Sequence, residues 1–119
     1  MEEDPVREER IMMEIVVDAY GEYERAIGWH CYLDDKLAFP FMAKCFVERN
    51  ISPLRKDEKV KVFGMSPEDD CMREMFVQIE WQGREMGVPL VQLKPIGVDD
   101  ETRQAIEDWH YWVEMGYEF

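Results

Sequence analysis

The hydrophobic period of the chain changes at Phe41, and this change limits the fold more than any other feature. Before it, residues 6–33 carry apolar side chains three and four positions apart, the spacing of one face of an α-helix. After it, apolar and polar residues alternate over 41–47, 59–64 and 75–81, as they do in half-buried strands. A chain that begins as a helix and continues as short strands is predicted to be α+β.

Short strands with tight connections predict a small antiparallel sheet. Gln82-Gly83 is a turn signal, and residues 88–93 read as the returning strand, with its proline at an edge or a bulge. Ser66 precedes a proline and an acidic run, the pattern of a helix N-terminus in which Asp69 completes a capping box. Four or five strands joined in this way predict a strongly curved sheet such as an SH3-like barrel.

The last segment predicts a second helix. Asp99 begins an acidic run where the helix dipole favours carboxylates, and residues 105–113 form an apolar face. Gly116 ends this helix, and Tyr117 and Phe119 are expected to fold back onto the core. The prediction is one domain of 119 residues with a long N-terminal helix, a curved antiparallel sheet and a C-terminal helix.

The chain is strongly acidic, with 27 acidic and 14 basic side chains and a net charge of −13. This charge argues against nucleic acids and anionic membranes as partners, because both are bound by basic surfaces. The hydrophobic fraction of 46% nevertheless supports a folded core. Three cysteines without paired spacing, no signal peptide and no apolar run of about 20 residues predict a reduced, cytoplasmic protein.

The negative charge lies in the two predicted helical ends of the chain. Residues 1–35 sum to −8 and residues 99–119 to −6, whereas residues 36–98 sum to +1. If the two helices share one side of the sheet, their carboxylates repel each other within a Debye length of about 8 Å. A divalent cation relieves that repulsion, and an almost pure oxygen donor set favours calcium over magnesium. The sequence contains no EF-hand loop.

The stretch from Trp29 to Phe41, called the joint below, connects the first helix to the first strand. Asp34 and Asp35 lie here at the C-terminal end of the predicted helix, where the dipole disfavours acids by a few tenths to about 1 kcal/mol. Helix capping does not explain them, and the Phe-Pro-Phe that follows anchors the backbone. Asp34 and Asp35 are therefore the first candidate calcium ligands.

Six further carboxylates complete the predicted ligand set. A second ion is expected, because the helical carboxylates are more than one calcium ion usually takes from side chains. With Glu22 counted there are seven of them: Glu14, Asp18, Glu22, Asp34, Asp35, Glu107 and Asp108. Glu14 and Asp18 of the first helix would share this second ion with Glu107 or Asp108 of the last helix. Asp69 and Asp70, in an acidic loop, are a weaker reserve for the joint.

Six stretches spread over nearly the whole chain carry a family resemblance. They are REERI (7–11), EIVVDAY (14–20), WHCYLDDKLAFPF (29–41), FGM (63–65) with Cys71, VPL (88–90) and AIEDWHYW (105–112). In them the chain resembles the CcbP-type calcium-binding proteins, small acidic proteins without EF-hands first named from cyanobacteria. The resemblance implies an intracellular α+β domain that binds calcium, acts as a buffer in calcium signalling and is not an enzyme. It supplies no ligand list.

Three alternatives remain open on the residues alone. The main one is an acidic interaction module that binds a basic protein partner, which the charge pattern also fits. A zinc site from His30, Cys31, Cys45, Cys71 and His110 lacks the short spacings that mark such sites. A Cys71–His110 nucleophile has no activating neighbour in the sequence. Calcium titration separates the first alternative from calcium binding.

Overall fold

The structure, a computed structural model, describes residues 3–17, 19–117 and 119, and these form three α-helices and a five-stranded sheet. The helices are α1 (Pro5–Arg10), α2 (Glu22–Lys36) and α3 (Asp100–Glu114), and a π-helical turn (Ile11–Ile15) continues α1. The strands are β1 (Phe41–Cys45), β2 (Lys59–Met65), β3 (Phe76–Trp81), β4 (Arg84–Pro89) and β5 (Leu93–Ile96). The predicted α+β class is confirmed.

The prediction of a single long N-terminal helix is wrong. The chain leaves helical geometry after Ile15, and α2 begins beyond Gly21, whose backbone is extended. The two helical segments then pack closely, with Gly28 of α2 directly against the carbonyl oxygen of Ile15. The apolar stripe continues in space across the break, because both segments bury it in the same core. Spacing along the sequence therefore could not distinguish one helix from two.

The strands lie in the order β4-β3-β2-β1-β5 and all pair antiparallel. Gln82 and Gly83 form the turn between β3 and β4, and both have positive φ, as in a type I′ hairpin. The predicted strand over 88–93 has the wrong bounds: β4 ends at Pro89, a 3-10 turn follows, and β5 pairs with β1. The described strands form no ladder between β4 and β5, so the sheet is open and an SH3-like barrel is not confirmed.

The predicted helix start at Ser66 is a single 3-10 turn over Glu68–Cys71. Ser66 does not cap this turn, because its side chain is buried and its hydroxyl accepts a hydrogen bond from the amide of Gln78 at 3.2 Å. The ring of His30 in α2 bonds to the carbonyl oxygen of Ser66 at 2.8 Å. The segment therefore ties β2 and β3 to α2 instead of extending as a helix.

Helices α2 and α3 are antiparallel and pack on the inner face of the sheet. Trp29 of α2 contacts Trp109 and Trp112 of α3, with ring centroids 5.1 and 5.5 Å apart. The end of the chain folds back as predicted, since Gly116 has a φ of +78° and Phe119 packs on Trp109. None of the described helices has the length and apolar character needed to cross a membrane.

Candidate metal centre

The joint ends α2 and ties it to the start of α3. The backbone N–H of Ala38 donates to Oγ1 of Thr102 over 3.0 Å, and the Thr102 hydroxyl lies 3.5 Å from the carbonyl oxygen of Lys36. Leu37 and Phe41 on either side are buried in the core. The backbone of the joint is thus held both by apolar packing and by α3, as a preorganised binding site requires.

Asp34 and Asp35 lie in the last turn of α2, as predicted, and both are exposed. The Asp35 side chain is 79% exposed, and its carboxylate lies 3.9 Å from the ammonium group of Lys36. An ion pair this exposed contributes little, so it hardly offsets the charge of the two acids. The negative end of the α2 dipole adds to that charge. This end of α2 therefore favours a cation.

The first turn of α3 brings further carboxylates to the same end of the helix pair. Asp99 caps α3, and hydrogen bonds from the hydroxyl and the backbone N–H of Thr102 lower the pKa of Asp99. Asp100 pairs with Arg103 at 2.7 Å, and Glu101 is exposed. Sequence reasoning missed these acids as site candidates because capping explained them. The missing information was that the two helices are antiparallel, which makes this turn a neighbour of the joint.

Asp108, which the sequence predicts as a calcium ligand, lies in a buried network of ion pairs. It is fully buried, and its two carboxylate oxygens accept hydrogen bonds from Arg10 at 2.6 and 3.0 Å. The hydroxyl of Tyr32 donates a third bond over 3.0 Å, and Nε of Arg7 lies 2.9 Å from Oδ1. Two guanidinium groups already neutralise this carboxylate, so a calcium ion would have to displace them.

The other acids predicted for a second ion border this buried network. Glu107 is half exposed, with its carboxylate 3.6 Å from Nη2 of Arg7. Glu14 is exposed on the π-helical turn. The pKa of Tyr32 is raised chiefly by burial and by the carboxylate that it binds, with a smaller part from the charge of Glu14. Asp18, the fourth of these acids, lies outside the described residues.

Asp69 and Asp70 lie in the 3-10 turn between β2 and β3, and both are exposed. This turn packs beside the middle of α2, where His30 bonds to the preceding loop. His30 and Asp34 are four residues apart, so they lie on one face of α2 about one turn from each other. The acidic loop is therefore a neighbour of the joint but is not brought into it.

The predicted ligands do not form a ready-made cage. Within residues 3–17, 19–117 and 119, no three His, Cys, Asp or Glu side chains converge closely enough to hold a metal ion. The zinc alternative is therefore not supported among these residues. The acids at the joint do fit calcium in their chemistry, because all are oxygen donors, and calcium accepts irregular geometry. An ion at the joint would gather exposed side chains that the structure shows apart.

Comparison with known proteins identifies the family of this chain. The profile of the CcbP-type calcium-binding family matches residues 9–113, which is nearly the whole sequence. The chain belongs to the CcbP family. Calcium binding is the activity by which this family is described, so the predicted family and calcium as the bound ion are confirmed.

Two solved structures are similar to this chain over almost its full length. The crystal structure of Anabaena CcbP is 42% identical with a TM-score of 0.89, covering 100% of this chain and 98% of that one. A calcium-binding protein in its calcium-binding form is also 42% identical, with a TM-score of 0.86 over 98% of this chain and 95% of that chain. A comparison with curated proteins gives no match.

Proposed function

We propose that this calcium-binding protein buffers free calcium in the cytoplasm and that the joint holds one of its ions. The observation that carries the proposal is the exposed carboxylate pair, Asp34 and Asp35, at the negative end of α2. The backbone beneath them is held by the core and by Thr102. Ion binding there needs to order only side chains.

The ligands would come from both helices at this end of the molecule. Asp34 and Asp35 would supply carboxylate oxygens, and Asp100 and Glu101 are the nearest acids of α3 in the fold. The last carbonyl groups of an α-helix lack partners within the helix, so α2 also offers backbone oxygens. Calcium takes six to eight oxygen ligands and readily accepts carbonyl groups and water among them. Asp69 and Asp70 remain a reserve.

Buffering and location rest on the charge of the chain and on its thiols. Helices α1 and α2, which belong to the segment of charge −8, lie beside α3, which belongs to the segment of charge −6. Each bound ion would relieve repulsion between their acids. A second ion bound by Glu14, Asp18 and Glu107 stays a prediction. All three cysteines are free thiols, which suits the reducing cytoplasm.

Replacement of both joint acids tests the site. The double variant D34N/D35N keeps side-chain size and removes two charges, and we expect its calcium affinity in calorimetry to fall at least tenfold, about 1.4 kcal/mol. The matched control E80Q/E85Q removes two charges from the β3–β4 hairpin, where these residues lie opposite each other, and should bind calcium like the parent protein. Equal losses in both variants, or a larger loss in D69N/D70N, would place the site elsewhere.

A spectral comparison separates a buffer from a sensor. A calcium sensor exchanges a closed for an open arrangement of helices, whereas a buffer changes little on binding. We expect amide NMR shifts on calcium addition to be confined to residues 34–41 of the joint and to the acids of α1 and α3. Shifts throughout the α2–α3 packing around Trp29 would indicate a sensor instead.

One observation favours binding of a basic protein partner as a second candidate function. The first two helical segments and the residues between them expose large apolar side chains among acids, and a basic amphipathic helix complements such a surface. These side chains, each between 49% and 84% exposed, are Val6, Met12, Met13, Val17, Tyr20 and Tyr23. Binding of a basic amphipathic peptide that is lost in M12S/M13S would support this function, and no binding would remove it.

A further inference from the structure

Over β1, β2 and β5, the outer face of the sheet concentrates positive charge in an otherwise acidic protein. Directly opposite residues of antiparallel strands share one face, and Lys44 of β1 lies opposite Lys59 on one side and Lys94 on the other. Lys61 lies opposite the next outward residue of β1. These four residues, Lys44, Lys59, Lys61 and Lys94, are called the lysine face below. No described helix covers them, because α2 and α3 pack on the inner face.

This arrangement works against the stability of the sheet. Opposite residues have Cβ atoms only about 4.5–5.5 Å apart, and like charges there repel. Among the described ion pairs, only Lys44 of the lysine face has an acidic partner, Asp57, at 3.3 Å. Lys61 lies over the ring of Phe63, 5.4 Å from its centroid, which leaves its charge in solvent. An anionic partner would turn this repulsion into attraction.

Exposed apolar side chains lie beside the lysines. Ile96, Met42 and Lys61 form the next row across the three strands, and Ile96 and Met42 are each 41% exposed. This row is one wall of an open cavity of about 330 Å³, whose other wall includes Pro40 and Thr102. A partner that fits this surface needs carboxylates for the lysines and one apolar side chain for the cavity.

We propose that the lysine face binds an acidic protein segment that places an apolar side chain in this cavity. Acids at the rim favour a short peptide over a nucleic acid: Asp57 lies beside Lys44, and Asp99 lines the cavity. A long nucleic acid would extend beyond the lysines, and its phosphates would be repelled by these acids. A short peptide stays within the lysine face. A second copy of this chain fits less well, because two molecules of charge −13 repel each other.

Anisotropy with a defined probe tests the proposal. The probe is a short fluorescein-labelled peptide with glutamate at every second position, serine between, and leucine in place of the central glutamate. An extended chain turns alternate side chains to one face, so its acids and its leucine would meet the sheet together. Measurements in EDTA prevent calcium from bridging the peptide to the acidic helices, so the result does not depend on the calcium site.

Matched variants decide the outcome. We expect K59E/K61E to weaken binding of the probe at least tenfold, while R73E/R84E, which changes the charge equally away from the lysine face, binds like the parent protein. A probe with serine in place of leucine, and one with glutamine in place of glutamate, should each bind more weakly. Circular dichroism confirms that both variants fold. No binding of the probe, equal losses in both variants, or tighter binding of an oligothymidylate of equal length would overturn the proposal.

Discussion

The carboxylate of Asp108 shows how one buried residue connects parts of the chain that are distant in sequence. It lies in α3 and binds Arg10 of α1 and Tyr32 of α2. Because it is fully buried, its charge depends on these partners in place of water. The hydrogen bond from Arg10 to Asp108 also raises the pKa of Arg10. Asp108 therefore holds the helices together in the fold.

The substitution Asp108→Asn should destabilise the protein without affecting calcium. It leaves two guanidinium groups without their counter-charge, and we expect a loss of about 3 kcal/mol in urea unfolding, the lower end for a broken buried pair since both arginines are partly exposed. The neighbouring exposed change Glu107→Gln should cost less than about 1 kcal/mol. Unchanged stability in D108N, together with weaker calcium binding, would make Asp108 a ligand after all.

Because of His110, the free energy of unfolding should fall as the pH is lowered from 7 to 5. Burial lowers the pKa of this histidine, whose ring stacks on Phe46 with centroids 5.5 Å apart. In the unfolded chain the imidazole has an ordinary pKa of about 6.5, so below that pH the unfolded state takes up a proton that the folded state resists. Urea unfolding without calcium should therefore lose more stability between pH 7 and 5 in the parent protein than in His110→Phe. Parallel pH profiles would contradict this.

At the scale of elements, the packing of the π-helical turn against α2 replaces the single helix that the spacing predicts. Gly28 permits this packing, because a Cβ built there would collide with the backbone carbonyl of Ile15. Gly21 starts α2 with an extended backbone and has no neighbour within 4 Å of such a Cβ. Two glycines in one helical pattern therefore serve different purposes, one as a contact and one as a start.

Substitution of the two glycines should have opposite effects. Gly28→Ala raises helix propensity by about 1 kcal/mol, but the collision should make the variant less stable by about 1–3 kcal/mol overall. Gly21→Ser offers α2 an N-cap hydroxyl and should be neutral or stabilising by a few tenths of a kcal/mol. Thermal unfolding of both variants measures these effects. A G28A variant more stable than the parent protein would contradict the close contact with Ile15 and would favour a single long helix.

At the scale of the molecule, the two faces of the sheet separate charge. The acidic helices pack on the inner face, while the lysine face points away from them. The repulsion that remains among the helical acids destabilises the folded protein, and bound calcium would relieve this repulsion. A specific ion and simple salt should therefore act differently on stability.

Calcium should raise the melting temperature well above the effect of salt alone. A ligand that binds only the folded state stabilises it by about 2.7 kcal/mol at a hundredfold excess over Kd. Sodium chloride at the same ionic strength screens the acids without occupying a site, and magnesium should act between the two. Differential scanning calorimetry in the three salts measures this. Equal shifts in all of them would mean screening only.

The sequence by itself determined the features that depend on neighbours along the chain. The Gln82-Gly83 turn, the cap at Asp99 and the stop at Gly116 all follow from local backbone preferences, and the structure has each of them. The position of Asp34 and Asp35 in the last turn of α2 followed from helical period alone. Family likeness and charge indicated calcium in the same way, because neither requires coordinates.

Only the tertiary structure decided which distant residues meet. Whether residues 6–33 form one helix or two depends on the contact between Gly28 and Ile15, and the partner of β5 depends on where the chain crosses the sheet. Asp108 and Asp35 are both helical acids in the sequence. In the structure, Asp108 is buried and pairs with two arginines, whereas the side chain of Asp35 is exposed. Long-range packing sets the burial and the counter-charges of a carboxylate, and these decide whether it stabilises the fold or remains available to bind an ion.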